Sequence, residues 1–531
     1  MRINKLLKPQ TNRSPEFSFR RVFPLVFVVI FLLHTPLLGL PFFWDEAGFY
    51  VPAAYDLAHS HTLVPTTTLD TGHPPLPAAY LALWFTLSGW KPVVARMAML
   101  LLAAFALTNV FLLARRLAGT GAAVATTIAT AVYPIFFVQS SLAHADLMAA
   151  AFTLWGIRLY VEERVWPSQL AFCLAVLSKE TAIITPLALA LWEILQPGAR
   201  SMHSRLRRTA IALIPVAPLL IWLAYHHHVT GRFFGGADFY QYNVTQAVSP
   251  LRFLLALGQR IWQLFGTMNM LALTAATAVA MFFPPVKDPA SERARIAIPV
   301  QLQFALIMLA HLVAFSLLGG ALLTRYLLPA YPLVIMIGMS TLHRRITRWE
   351  WPAAVMVIVF VMALFFDPPY RFAPEDNLTY KNFVELHDKA AKFLEEHEQN
   401  TTILTAWPAT DELSKPYLGY VHQPFSSVQI QDFTVEEMLK ARQMHSQYQV
   451  AYLFSTKNDV PAWIHSERWE KLNRRFFGQH NDVSPELAAE FLHGKIVFLA
   501  RDKAEWVAIL EMEQPSSVAS ATKLLPERIT Q

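Results

Sequence analysis

Between Val22 and Phe366 the chain is a succession of apolar blocks, many close to the roughly 20 residues a helix needs to cross the hydrocarbon core of a bilayer. That spacing constrains the fold more than any other feature. Only 15% of the 531 residues are charged, against about 25% in soluble domains, and half of the charge lies in the last third. The chain reads as an α-helical polytopic membrane protein of about eleven transmembrane helices. Spans are expected near 22–40, 92–114, 121–138, 147–161, 168–178, 181–195, 209–225, 262–283, 297–318, 326–341 and 352–366, with 168–178 and 181–195 short.

The positive charges orient these blocks. The first segment, 1–21, carries Arg2, Lys5, Lys8, Arg13, Arg20 and Arg21. It leads into an apolar run with no small-residue cleavage motif after it, which predicts an uncleaved first span. The connections at 115–119, 162–166, 198–208, 287–295 and 343–349 all contain Lys or Arg, whereas 41–90 contain none. By the positive-inside rule the amino terminus is cytoplasmic and the first loop, 41–91, faces outward. The formal net charge of +6 follows from this distribution and does not indicate nucleic-acid binding. The single cysteine, Cys173, forms no intramolecular disulfide.

Residues 76–89, "LPAAYLALWFTLSG", are too short to span and predict a helix along the outer membrane face, with Trp84 and Trp90 at the interface. From 377 to 515 amphipathic helix alternates with short apolar strands ("TTILTAW", "QVAYLF", "KIVFLA", "WVAILEM"), which predicts an extramembrane α/β domain on the outer side. Residues 516–531 read as a disordered tail. No repeat of 20–50 residues is seen.

The chemistry gathers on the outer face. In "FFWDEAGFY" (42–50), Asp45 and Glu46 follow directly on the first span. Asp45 would cap a helix beginning at Glu46, yet capping does not call for the five aromatic residues of this stretch. Adjacent helical residues diverge by about 100°, so one carboxylate suits a base and the other an orienting role. His73 lies in "TGHPPLPAAY", where a solvated loop histidine is the default. Arg96 opens the second span, where snorkelling is the alternative to anion binding. Asp146 opens the fourth span, with helix capping as its default. Lys179 and Glu180 mark a hairpin between two short spans, and Arg325 and Tyr326 open the tenth. The triplet His226–His228 reads as interfacial, because consecutive side chains diverge. Carboxylates beside Arg and Lys suit a phosphorylated lipid and a hydroxyl acceptor. No P-loop is present, so a nucleotide donor is disfavoured.

The outward Asp-Glu, "GHPPL" before a surface helix, an arginine at the second span and "RYLLPAYP" late in the bundle together resemble the protein O-mannosyltransferase-like glycosyltransferases. This GT-C fold superfamily includes the aminoarabinose transferases. The resemblance covers roughly 22–366 and implies a polyprenyl-phosphate-linked sugar donor, inversion at the anomeric carbon, Asp45 as base and Arg96 on the donor phosphate. His73 stands where aminoarabinose transferases have lysine, which is the mannosyltransferase form. Combined with the residue reading, the expectation is a glycosyltransferase with Asp45 and Glu46 catalytic. Arg96, Lys179 and Arg325 would hold the donor phosphate, and His73, Asp146 and Tyr326 the substrate. Glu46 and Asp146 orient substrates or share a divalent cation such as Mg or Mn, and no cofactor is required. The expected partners are the lipid-linked sugar, a glycan, lipid or protein acceptor and the bilayer of the inner (plasma) membrane. The alternatives are a transporter or flippase, and a non-catalytic scaffold.

Overall fold

The computed structural model describes residues 17–196, 201–236, 249–288, 291–318, 320–456 and 466–512. The basic residues from Arg2 to Arg13 and the tail 516–531 lie outside these. The chain divides into two compact units, Met1–Tyr380 with Val460–Phe477, and Lys381–Asp459 with Gly478–Gln531.

The first unit is helical. Its chain begins with α1 (Phe19–His34), α2 (Val51–Ser60), α3 (Leu76–Ser88), α4 (Pro92–Ala118), α5 (Thr120–Val132), α6 (Pro134–Gln139), α7 (Ala145–Val161), α8 (Val165–Ser178) and α9 (Ile184–Leu195). It continues with α10 (Met202–Ala212), α11 (Val216–Thr230), α12 (Pro250–Phe265), α13 (Met270–Ala280), a short ribbon of β1 (Lys287–Asp288) and β2 (Ser291–Glu292), α14 (Ile298–Leu317), α15 (Tyr331–Arg345) and α16 (Glu350–Phe365). Among the described residues four helical segments are long and apolar enough to cross a membrane: Phe19–Leu37, Pro92–Ala118, Met202–Thr230 and Ile298–Leu317. A fifth is added if α12 and α13, bent by 77° against each other, count as one. The protein is thus a multi-pass membrane protein.

Several expected spans are interrupted, each for a local reason. Pro134 divides the block 121–138 into α5 and α6, with Tyr133 extended at ψ 123°, as the residue before proline prefers. The block 262–283 is not one straight span. Met268 and Asn269 take positive φ of 47° and 64°, so the chain turns there, and helix α12 already begins at Pro250 with the Ser249 side chain capping it. Of these four segments helix α4 is the most enclosed, packed by α1, α5 and α7. Its buried Ala95, Ala98, Ala103, Ala104 and Ala106 let neighbouring backbones approach closely.

The second unit is built on five strands: β3 (Thr402–Ala406), β4 (Ser426–Ile430), β5 (Val450–Phe454), β6 (Gly494–Asp502) and β7 (Glu505–Met512). Their order is β4-β3-β5-β7-β6. Strand β3 runs parallel to β4 and β5, and β7 pairs antiparallel with β5 and β6. Helix α17 (Thr379–His397) precedes β3, helices α18 (Ala409–Ser414), α19 (Val435–Gln443) and α21 (Pro485–Leu492) lie between the strands in sequence, and α20 (Glu467–Phe477) groups with the first unit. The apolar runs around β3, β5, β6 and β7 coincide with strands. Strand β4 was not expected, because "SSVQI" is polar. It is an edge strand and is only partly buried.

Candidate active site

The dipeptide Asp45-Glu46 sits at a sharp change of backbone. Trp44 takes a φ of 41°, and from Glu46 to Tyr50 the chain winds as one wide π turn into α2. The Asp45 side chain makes no cap, so the default reading of this residue does not hold. The two carboxylates leave the turn in different directions.

Glu46 turns inward. Its carboxylate accepts from the Phe43 backbone N–H at 2.8 Å and from that of Ala143, and it pairs with the Arg96 guanidinium. Arg96 also donates to Ser141 O at 2.9 Å and Pro41 O at 3.1 Å, and packs 5.6 Å from the Phe42 ring centroid. Neither side chain of the pair touches solvent. Its partners are backbone groups of the first loop and of the turn before α7, so it ties those segments to α4. The sequence reading placed Arg96 on the donor phosphate and Glu46 at the chemistry. Here each is enclosed and engaged with the other.

Asp45 turns the other way, into a cluster centred on Arg325. Arg325 lies in the 3-10 turn Thr324–Leu327 ahead of α15. Its Nη2 meets Asp45, its Nη1 donates to Glu375 Oε1 at 2.8 Å, and its Nε lies 3.5 Å from Asp146 Oδ2. Asp146, in the first turn of α7, accepts from Lys179 Nζ at 2.7 Å, and Lys179 stands 4.3 Å from the Tyr326 ring centroid. Asp146 is not the helix cap either, since His144 holds that position. A small open cavity lies beside the cluster, lined by Asp146, Lys179, Arg325, Tyr326, His311 and Phe315. Of the eight residues singled out from sequence, Asp45, Asp146, Lys179, Arg325 and Tyr326 come together here.

His73 lies next door. Its Nδ1 is 2.8 Å from Glu180 Oε2, and its ring stacks on Tyr50 at 6.3 Å between centroids. A second small cavity lies against it, walled by Phe49, Tyr50, Leu69, Asp70, His73 and Trp222. The loop forming this wall is held at three points. Asp56 accepts from the Thr66 and Thr67 backbone N–H groups at 2.6 and 2.8 Å. Asp70 pairs with the buried His226 at 3.0 Å. Gly72, at φ +69°, would bring a Cβ within 2.4 Å of the Gly235 backbone, a position only glycine fits. His226 therefore has a latching role that its triplet did not disclose.

Glu375 was missed by sequence reasoning. It stands in a short 3-10 turn, Pro374–Asp376, beyond α16, and the available signal was a second acidic pair, "PED". Burial pushes the Glu375 carboxyl up against the opposing pull of Arg325. Burial, with neighbouring Glu375 adding to it, raises Asp376 to about 7. Burial also pushes the Glu180 carboxyl up, but His73 and then Lys179 outweigh it and hold it at about 2. Among the described residues no three His, Cys, Asp or Glu side chains gather as metal ligands would.

Residues 72–222 match the protein-family profile described as dolichyl-phosphate-mannose-protein mannosyltransferase. His73, Arg96, Asp146 and Lys179 fall inside the match, and Asp45 and Arg325 outside it. No curated protein matches the chain by sequence. Among solved structures the chain is similar to ArnT from Cupriavidus metallidurans in the apo state, with a TM-score of 0.56 and 14% identity over 93% of this chain and 98% of that one. The same protein bound to undecaprenyl phosphate gives 0.52 and 15% over 92% and 98%. At such identities the common property is the fold.

Proposed function

Taking as premise a chain with the GT-C fold and a mannosyltransferase-family match over 72–222, we propose that it is a membrane glycosyltransferase. It moves a sugar from a polyprenyl-phosphate donor to an acceptor hydroxyl with inversion. The observation that carries this reading is the cluster itself: Asp45, Asp146, Lys179 and Arg325, drawn from four separate segments, meet beside one cavity. The solved relative that binds undecaprenyl phosphate supports a lipid-phosphate donor for the same fold.

In the proposed step the acceptor oxygen attacks the anomeric carbon opposite the phosphate. Asp45 takes the hydroxyl proton as the new C–O bond forms. The bond from the anomeric carbon to the phosphate oxygen breaks, and polyprenyl phosphate leaves with the electron pair. Lys179 and Arg325 hold the developing phosphate charge. A phosphate leaving group needs little protonation, so no general acid is assigned. Three carboxylates already face these two cations. Phosphate entry therefore requires one of them to give way, and Glu375, whose carboxyl is pushed up, is the one suited to take a proton. His73 and Tyr326 line the substrate space, and Glu46 with Arg96 holds the turn that aims Asp45. No step is routed through a divalent cation.

The topology that fits this chemistry has eleven spans, a cytoplasmic amino terminus, and the cluster and second unit on the extracytoplasmic side of the inner membrane. The test uses purified protein in lipid, mixed with a panel of radiolabelled polyprenyl-phosphate sugars and crude envelope as acceptor. Release of label from one donor by wild type and not by Asp45→Asn is expected. Release from none, or equal release by both, would overturn the reading.

A further inference from the structure

Helix α20 (Glu467–Phe477) belongs to the last third of the sequence yet groups with the helical unit. Its sequence, "ERWEKLNRRFF", sets Trp469, Leu472 and Phe476 within about 60° of one another at 100° per residue. Arg468, Lys471, Arg474 and Arg475 occupy the remaining arc with two glutamates. None of its residues is buried, and Trp469 is 46% exposed. Among the described residues Trp469 is exposed and Leu472 and Phe476 are half-buried, so the apolar stripe of this amphipathic helix is only partly covered.

The structure fixes the level at which this helix lies. Arg252 Nε donates to Phe476 O at 3.2 Å, and its Nη1 donates to Leu318 O at 3.3 Å. The same guanidinium is 5.7 Å from the Phe477 ring centroid. Leu318 closes α14, one of the helices long and apolar enough to cross the membrane. At the other end, Arg371, a few residues beyond α16, reaches Glu470 Oε1 at 3.4 Å. Both ties sit just past the ends of apolar helices. Leu251, Leu254, Leu317 and Leu318 are exposed beside the first tie, so the stripe continues an exposed apolar surface.

We propose that α20 lies in the bilayer interface at this end of the helical unit. Trp469, Leu472 and Phe476 enter the acyl boundary, and Arg468, Lys471, Arg474 and Arg475 pair with the phosphates of anionic lipids. An apolar face flanked by cations is the pattern that binds such a surface, and long basic side chains reach headgroups while their stems stay in the apolar layer. The occupant is the membrane itself, and the proposal does not depend on glycosyl transfer.

The experiment uses the full chain with its single cysteine removed (Cys173→Ser). One cysteine is then placed at Trp469→Cys, Leu472→Cys or Lys471→Cys and labelled with a small fluorophore. The protein is reconstituted into phosphatidylcholine vesicles, with and without phosphatidylglycerol, carrying a nitroxide on the acyl chain. Labels at 469 and 472 are expected to be quenched by the lipid nitroxide, and the label at 471 by aqueous iodide. Replacing Arg468, Arg474 and Arg475 by Gln should weaken docking of the helix on the anionic bilayer by roughly fivefold per charge, read as loss of the phosphatidylglycerol-dependent quenching at 469 and 472. Equal lipid quenching at all three positions overturns the proposal, as does quenching that ignores phosphatidylglycerol. Labels at 469 and 472 shielded from both quenchers would also overturn it, because a protein surface would then cover the stripe.

Discussion

Arg96 and Arg325 each hold one carboxylate of the same dipeptide, and the two settings differ in nearly every respect that matters. The Arg96–Glu46 pair is sealed from solvent, and its further hydrogen bonds run to backbone groups of Pro41, Phe43, Ser141 and Ala143. The Arg325–Asp45 pair is one edge of a network with Asp146, Glu375 and Lys179 beside a cavity. A charge pair enclosed in this way fixes geometry, since removing one partner leaves a buried charge uncompensated. A cluster with more carboxylates than cations, open to a cavity, is poised to exchange a partner for a ligand. Neighbours in sequence can thus be assigned opposite work by a single turn of backbone.

The sharpest way to break this contrast is at Asp45. Asp45→Asn should lower transfer by about 10²–10⁴-fold, read as label released from the lipid donor, while the thermal midpoint in detergent stays near wild type. Near-normal turnover would remove Asp45 as base. At the other arginine, Arg96→Met should cost roughly 3–5 kcal/mol of stability by stranding Glu46, seen as a lower midpoint. Removing both charges with Arg96→Met/Glu46→Leu should recover much of it. A double variant that regains stability but has lost donor binding would instead return Arg96 to the phosphate.

Smaller effects separate the open cluster further. Lys179→Met should reduce kcat/KM for the donor by roughly tenfold to a hundredfold, the worth of one hydrogen bond to a charged group, and more than it reduces stability. Titrating acceptor and donor separately would show whether the loss lies on the donor side. Asp376 gives a pH signature. Its folded-state pKa of about 7 lies above the ordinary aspartate value, so the folded protein holds the proton more tightly than the unfolded chain. The contribution of this group to stability is therefore fully present at low pH and is lost as pH rises from about 4 to about 7. Asp376→Asn should flatten the thermal midpoint across that window, and an unchanged slope would point to another group.

Much of this arrangement was legible in sequence. Hydropathy marked the apolar blocks, and the absence of Lys and Arg from 41–90 marked the first loop as distinct. Asp45, Asp146, Lys179, Arg325 and Tyr326 were singled out because charged side chains at a membrane boundary need water, a partner or a task. Glu375 was passed over because it follows the last apolar block and reads as the edge of the next region. Strand β4 was passed over because an edge strand need not be apolar. The pairing of Glu46 with Arg96 was not predictable from either residue, since they are 50 positions apart and each also fits a functional reading.

The sequence by itself determined that this chain is a multi-pass membrane protein with chemistry-bearing residues near the ends of its apolar blocks. Composition and period suffice for that, because lipid imposes one requirement on every segment it surrounds. Which cation meets which carboxylate was decided only in three dimensions. Opposite charges attract without regard to sequence distance, and their choice among several partners depends on backbone direction at a few positions. The left-handed turn at Trp44, the π turn after it and the short 3-10 turn at Arg325 set those directions, and none of them leaves a periodic trace in the sequence.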